Sequence, residues 1–257
     1  GENGFAVTHS QHALTAEKLP ELKDAPGFKD QFLVKGKPPA EASLMKLPAL
    51  ARTLKRLGRD GAQDFYTGKI ARDLAAGLAE IGAPVTADDL ARHRATRPEP
   101  LSVAIKGAKL FNFPPPTQGL SSLMILALFE RLGVERADGF AYVHGLVEAT
   151  KQAFLVRDRI IGDPASMTED PANSLKKSKL DALAERISMR KALAWPAPAD
   201  KGDTIWLGVI DANGLAVSFI QSIYFEYGSG CVLPETGIVW QNRGASFALS
   251  GTGPRVL

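Results

Sequence analysis

Cysteine is nearly absent from the chain. One residue, Cys231, in 257 excludes an intrachain disulfide and any multi-cysteine metal site. Histidine is sparse as well. His9, His12, His93 and His144 are scattered, and no nearby carboxylates complete a ligand set, so they are expected as surface or core histidines and no metal is expected. No apolar run approaches the length that spans a bilayer. Charge of one sign is missing too: the net charge is +3 with Lys and Arg spread along the chain, whereas a nucleic-acid footprint clusters them on one face. The start, Gly1-Glu2-Asn3-Gly4-Phe5, has neither an initiator Met nor the basic-then-apolar order of a signal peptide. The lone cysteine says little about compartment; a cytoplasmic protein is expected, with a periplasmic one as the alternative, and neither nucleic acid nor membrane is expected as a partner. There is no internal repeat and no low-complexity tract.

What is present is ordinary globular composition, 45% hydrophobic and 23% charged, enough for one large domain or two modest ones. Residues 1 to 40 are mixed, and Lys35-Gly36-Lys37-Pro38-Pro39 marks a loop. From Ala42, Leu44, Leu47, Leu50, Ala51, Leu54 and Leu57 recur at helical steps, with Gly58 as the stop. A second helix is predicted from Phe65 to Ile81, and Thr86 with Asp89 reads as a helix start of the capping-box kind. Leu101–Ile105 and Lys109–Phe113 read as short strands around Gly107. Pro114-Pro115-Pro116 forbids helix and central strand alike and predicts a stiff extended loop. Helices follow over Leu120–Leu132, Phe140–Ile160 (with Val143, Val147, Ala153 and Phe154 as its apolar positions) and Leu175–Ile187. Residues 195–202 are a linker by composition. The character then changes to strands: Thr204–Asp211, the hairpin signal Asn213-Gly214, and Leu215–Ser222 returning.

The chemistry concentrates where linker meets strand. Gly202-Asp203 ends the linker and Thr204 opens a strand that reads as buried. A threonine there can attack the carbonyl of the peptide bond before it, and the ester so formed hydrolyses. Thr204 then carries a free α-amino group beside its hydroxyl. That amine has a reference pKa of about 7.7–8.0, suited to a general base at neutral pH. One residue thus supplies both nucleophile and base. The competing reading of Gly-Asp-Thr is a turn followed by an ordinary strand threonine.

Several separated motifs, in order along nearly the whole chain, resemble the gamma-glutamyltransferase family. They are Gly61-Ala62-Gln63-Asp64-Phe65-Tyr66-Thr67-Gly68-Lys69-Ile70-Ala71, Pro114-Pro115-Pro116-Thr117-Gln118-Gly119, Arg157 ahead of Gly162-Asp163-Pro164, and Gly202-Asp203-Thr204. Then come Val209-Ile210-Asp211-Ala212-Asn213-Gly214-Leu215-Ala216-Val217-Ser218, Gly228-Ser229-Gly230, and Gly237-Ile238 to Asn242-Arg243-Gly244. The resemblance implies an α/β (α+β) fold, the N-terminal-nucleophile hydrolase αββα four-layer sandwich, incomplete in this chain. It implies a precursor cut between Asp203 and Thr204. Residues 1–203 would be the C-terminal part of the large subunit, mostly helical. Residues 204–257 would be the N-terminal part of the small subunit, mostly strands. The other segments of the same precursor are the implied partners, and no cofactor is implied.

Carried over residue by residue, the resemblance makes Thr204 the nucleophile. Ser222 falls where the family has a threonine that hydrogen-bonds the nucleophile; a polar residue on an outward strand face is the competing reading. Tyr224, Arg243 and Ser246 stand where the family holds the substrate's α-amino group with an amide and acidic groups. A cation in place of an acid suits a carboxylate and repels an ammonium. The segment Trp240-Gln241-Asn242-Arg243-Gly244-Ala245-Ser246-Phe247 looks like the oxamate amidohydrolase group of this family, whose members turn oxamate into oxalate and ammonia in purine breakdown. A small carboxylate-bearing amide is therefore the expected substrate. Arg243 as a structural ion-pair residue and Tyr224 as packing are the alternatives. Two parts of the family pattern do not appear: the segment bringing a substrate-carboxylate arginine, and the glycine pair whose N–H groups form the oxyanion hole. Little activity is expected of this stretch alone. A gamma-glutamyl hydrolase or transferase and a non-catalytic member are the alternatives for the whole. A catalytic role for Cys231 is set aside, since no histidine is tied to it and a small buried cysteine is the usual case.

Overall fold

A computed structural model describes residues 1–195, 204–251 and 253–256. Its contacts divide the chain into two compact units, Gly1–Ala95 with Lys201–Gly244, and Thr96–Asp200 with Ala245–Leu257. Each unit therefore draws on chain from both sides of the Asp203–Thr204 bond.

In the first unit, β1 (Phe5–Ala6) pairs antiparallel with β2 (Leu44–Met45). Between them lie α1 (His9–Leu22), capped by the Thr8 hydroxyl accepting from Gln11 N–H at 3.1 Å, and α2 (Phe28–Phe32). The helix expected from Ala42 begins later, as α3 (Pro48–Asp60). Leu44 is in β2, and Pro48 takes the first helical turn, where a missing N–H costs no bond. Gly58 does not stop α3. The stop is Gly61, which adopts φ +86°, a conformation that glycine reaches without a Cβ penalty.

The single helix expected over Phe65–Ile81 is two, α4 (Asp64–Thr67) and α5 (Lys69–Glu80), broken at the extended Gly68. The Asp64 carboxylate explains the break. It turns back to accept from Lys69 N at 2.9 Å and Ile70 N at 3.3 Å, capping α5, and takes Arg56 Nε at 2.6 Å. In α5, Ile70, Ala71, Leu74 and Leu78 share one face and bury against Leu90 and Leu233. Leu74 and Leu78 are fully buried, each worth about 1.5–3 kcal/mol of transfer free energy. Leu90 lies in α6 (Ala87–Arg92), which opens with the expected box: Asp89 N donates to Thr86 Oγ1 at 3.2 Å and Thr86 N to Asp89 Oδ2 at 2.8 Å.

The second unit begins with the hairpin β3 (Leu101–Ile105) and β4 (Ala108–Asn112), turning at Gly107 as expected. The proline loop leads into α7 (Gly119–Arg131), where Phe113 O approaches so closely that a Cβ on Gly119 would stand 2.1 Å from it. Leu120, Leu123, Met124, Ala127 and Leu128 of α7 form the core with Ala149, Ala153 and Val156 of α8 (Gly139–Ile160) and Leu180 of α9 (Lys177–Ala184). The apolar face expected for α8 is misplaced in part. Val143 and Val147 are exposed, while Gly145, Ala149 and Ala153 are buried, because small residues let α7 and α8 approach. Also buried in α8 is Glu148, 2% exposed, which accepts from Lys151 Nζ at 2.6 Å and Leu193 N at 3.0 Å.

The expected linker lies, apart from Trp195, outside the described residues; after it the first unit resumes with strands: β5 (Ile205–Ile210) antiparallel to β6 (Ala216–Gln221), and β7 (Val232–Leu233) antiparallel to β8 (Ile238–Val239). The strand expected to be buried is not. Every residue of β5 and β6 is exposed, Trp206 at 61% and Ile210 at 74%, because the two strands pack chiefly against each other. No helix among the described residues is long and apolar enough to cross a membrane.

Candidate active site

The site residues come together through strand register. The Asp211 carboxylate accepts from Asn213 N at 2.8 Å and Leu215 N at 2.9 Å, and Gly214 takes φ +83°. This turn sets Ile210 opposite Ala216, and the ladder runs on to Ile205 opposite Gln221. One step further, Thr204 meets Ser222: Thr204 Oγ1 donates to Ser222 Oγ at 2.9 Å. A one-residue slip would turn every side chain of one strand to the other face and separate the two hydroxyls. Sequence reasoning did not single out Asp211, although an aspartate two residues before Asn-Gly is a turn signal in its own right.

Thr204 is exposed and Ser222 half-buried. Ser222 Oγ also accepts from Tyr224 N at 3.0 Å. Tyr224 has φ +85°, an unusual conformation for a bulky residue, costing on the order of 1–3 kcal/mol. Its ring packs edge-on against Phe225 at 4.6 Å, and the Arg243 guanidinium carbon stands 4.9 Å from its centroid. Asn242 N donates to Ile223 O at 2.9 Å, which fixes the 242–243 backbone beside the turn after β6.

The Gly228-Ser229-Gly230 motif braces the same segment. Ser229 N and Ser229 Oγ both donate to Trp240 O at 2.9 Å. A Cβ on Gly228 would stand 2.4 Å from that oxygen, and Gly228 takes φ +57°. Next to it, Tyr227 O–H meets Thr15 Oγ1 at 2.6 Å, and burial pushes the tyrosine hydroxyl's pKa up.

The structure thus brings together Thr204, Ser222, Tyr224 and Arg243, four of the residues expected from sequence. Ser246 is half-buried, ends the 3-10 turn Arg243–Ser246, and belongs to the second unit. Asp203 lies outside the described residues. Cys231 is half-buried; its N–H donates to Ser229 Oγ at 3.3 Å. Among the described residues, no group of three or more His, Cys, Asp or Glu is placed to hold a metal ion. A groove of about 870 Å³ in the second unit, lined by Phe113, Pro115, Thr117, Met167 and Asp170 among others, contains none of the expected site residues.

Known proteins resemble the chain over most of its length. The gamma-glutamyltranspeptidase family model matches residues 1–254. The oxamate amidohydrolase proenzyme of Klebsiella pneumoniae is 50% identical over 248 residues, covering 96% of this chain and 47% of that protein. A glutathione hydrolase-like proenzyme of Bacillus subtilis is 36% identical over 250 residues, with 96% and 47% covered. The crystal structure of cephalosporin acylase from Bacillus halodurans superposes with a TM-score of 0.88 at 29% identity, over 99% of this chain and 48% of that one. Gamma-glutamyltranspeptidase from Pseudomonas nitroreducens gives a TM-score of 0.67 at 25% identity, over 75% of this chain and 58% of that one. The chain spans about half the length of the curated relatives it matches.

Proposed function

Because the chain belongs to the gamma-glutamyltranspeptidase family and has its N-terminal-nucleophile hydrolase fold, we propose that it is the part of a self-processing amide hydrolase that carries the nucleophile, Thr204, and that the substrate is a small amide bearing a carboxylate, such as oxamate. The observation that carries this reading is the 2.9 Å contact of Thr204 Oγ1 with Ser222 Oγ at the mouth of the β5–β6 hairpin. The proenzyme names of the relatives support a precursor that is cut, and the 50% identity to an oxamate amidohydrolase supports the substrate class.

The chemistry follows from the residues. Cleavage before Thr204 frees its α-amine, which takes the hydroxyl proton as Oγ attacks the substrate carbonyl. The amide C–N bond breaks, and ammonia leaves with the proton passed on by the amine. Water then attacks the ester, releases the acid and restores the hydroxyl. Ser222, already holding Thr204 Oγ1 and the Tyr224 N–H, fixes the direction of the nucleophile. Arg243 is the cation for the substrate carboxylate, since a planar guanidinium can hold it through two parallel bonds.

Intact mass spectrometry of the full-length gene product tests the first half. Two fragments meeting at Asp203–Thr204, absent in Thr204→Ala, are expected; an uncut chain would favour the non-catalytic reading. An ammonia-release assay on oxamate tests the second half, and turnover of a gamma-glutamyl anilide in its place would move the substrate to the glutathione-like class.

A further inference from the structure

We infer that Tyr224 is a positioning residue that joins the nucleophile's hydrogen-bond partner to the anion-binding cation, so that substrate carboxylate and Thr204 are held in one fixed geometry; this rests on the carboxylate-amide reading above. Three observations on this one residue carry it. Its backbone N–H reaches Ser222 Oγ at 3.0 Å, and Ser222 in turn takes Thr204 Oγ1 at 2.9 Å. Its ring lies 4.9 Å from the Arg243 guanidinium carbon, on the neighbouring segment that Asn242 N ties to Ile223 O at 2.9 Å. Its φ is +85°, which a glycine would adopt without strain.

The strained backbone and the ring belong together. The positive φ turns the chain sharply after β6, so that the N–H points back to Ser222 while the side chain faces the 242–243 segment. Glycine would serve the turn better but would take the ring away from the Arg243 guanidinium. The electron-rich face of tyrosine attracts a guanidinium, and a cation held over a ring has fewer orientations to lose when a carboxylate arrives. Strain kept at such a place marks a residue retained for its side chain. The contacts form one path: Thr204, Ser222, the Tyr224 backbone, the Tyr224 ring and Arg243.

The test compares Tyr224→Gly, Tyr224→Phe and a trifluorophenylalanine at position 224 in the full-length, processed protein. Readouts are KM and kcat for oxamate and for its neutral ethyl ester. Tyr224→Gly keeps the turn and is expected to cleave itself, while its KM for oxamate rises about tenfold and kcat falls by less. The neutral ester is expected to show no such rise. Tyr224→Phe, which keeps the ring, restores the lower KM. The near-isosteric trifluoro ring, whose face no longer attracts a cation, raises KM as glycine does, and decides the matter if Tyr224→Gly does not fold. An oxamate KM that stays unchanged in the trifluoro variant, or that rises equally for oxamate and its ester, would overturn the role given to Tyr224. A wild-type protein that cleaves itself yet hydrolyses no anionic amide would instead overturn the substrate reading beneath it.

Discussion

Gly68 separates α4 from α5 because the Asp64 carboxylate occupies the space a side chain would need. A Cβ there would stand 1.8 Å from Asp64 Oδ1. Gly68→Ala must push Asp64 away from Arg56 and from the first N–H groups of α5, and a lowered melting temperature is expected. Asp64 itself makes a pH-dependent contribution. Chiefly the hydrogen bond from Arg56, with the Lys69 and Ile70 N–H groups, holds its carboxyl well below the usual carboxylate range. A group whose folded pKa is depressed stabilises the fold fully above its unfolded pKa, about 3.9, and the contribution is lost as pH falls toward the folded value. Urea midpoints of wild type and Asp64→Asn should therefore differ at about pH 7, and the gap should narrow progressively as pH falls below about 4. A gap that stays constant across that range would show that Asp64 acts by shape alone. At this scale the sequence was informative where chemistry is local. Thr204 and Ser222 were named as a pair by the family resemblance, and the hairpin register is what brings their hydroxyls together. The φ of Tyr224 and its ring contact were not legible, because they depend on residues 242 and 243 arriving beside the turn.

Elements repeat the pattern. The α6 cap was legible because both partners, Thr86 and Asp89, lie within one turn. The β3–β4 and β5–β6 hairpins were legible from Gly107 and from Asn213-Gly214. By contrast, α1 was missed: it contains Pro20 and buries little beyond Thr15 and Leu22, so its apolar pattern is faint. The break in α4–α5 was missed because Asp64 caps a helix that starts five residues later. Burial of β5 was expected from its apolar residues, yet both faces of the hairpin are open among the described residues. With so little packed on it, the hairpin owes its register to the turn. Asp211→Ala removes the acceptor for two turn N–H groups, each such bond worth about 0.5–1.5 kcal/mol. Slower cleavage at Asp203–Thr204 is expected, by about tenfold if the register populates a slipped form. Mass-spectrometric time courses give the rate, and an unchanged rate would mean that the ladder holds register without the turn.

For the whole molecule, the decisive fact is that the first compact unit spans the proposed cut. Thr53 Oγ1 donates to Thr236 O at 2.8 Å, Gln31 Nε2 to Gly237 O at 3.1 Å, and Val232 N to Pro26 O at 2.8 Å. Lys18 faces Glu226 at 3.6 Å, and Leu233, 1% exposed, packs into the core formed by α5 and α6. Gly237 is pressed so tightly against α3 that a Cβ would stand 2.4 Å from Leu50 N. None of these contacts needs the peptide bond before Thr204. Cleavage should therefore leave the two pieces as one particle, co-eluting in native size exclusion and parting only in denaturant. Leu233→Ala tests where the adhesion resides. Removing a fully buried leucine from a core costs about 2–5 kcal/mol, part of it for the cavity left behind. In the uncut chain that cost appears as a lower melting temperature. In the cut protein it appears as dissociation, because no covalent link then holds residues 204–244 against residues 1–95. The cut variant is expected to shed its downstream piece at protein concentrations where the cut wild type stays whole. If both stay whole, or both fall apart, the adhesion lies outside the Leu233 core, and the hydrogen bonds to 232, 236 and 237 become the next places to cut.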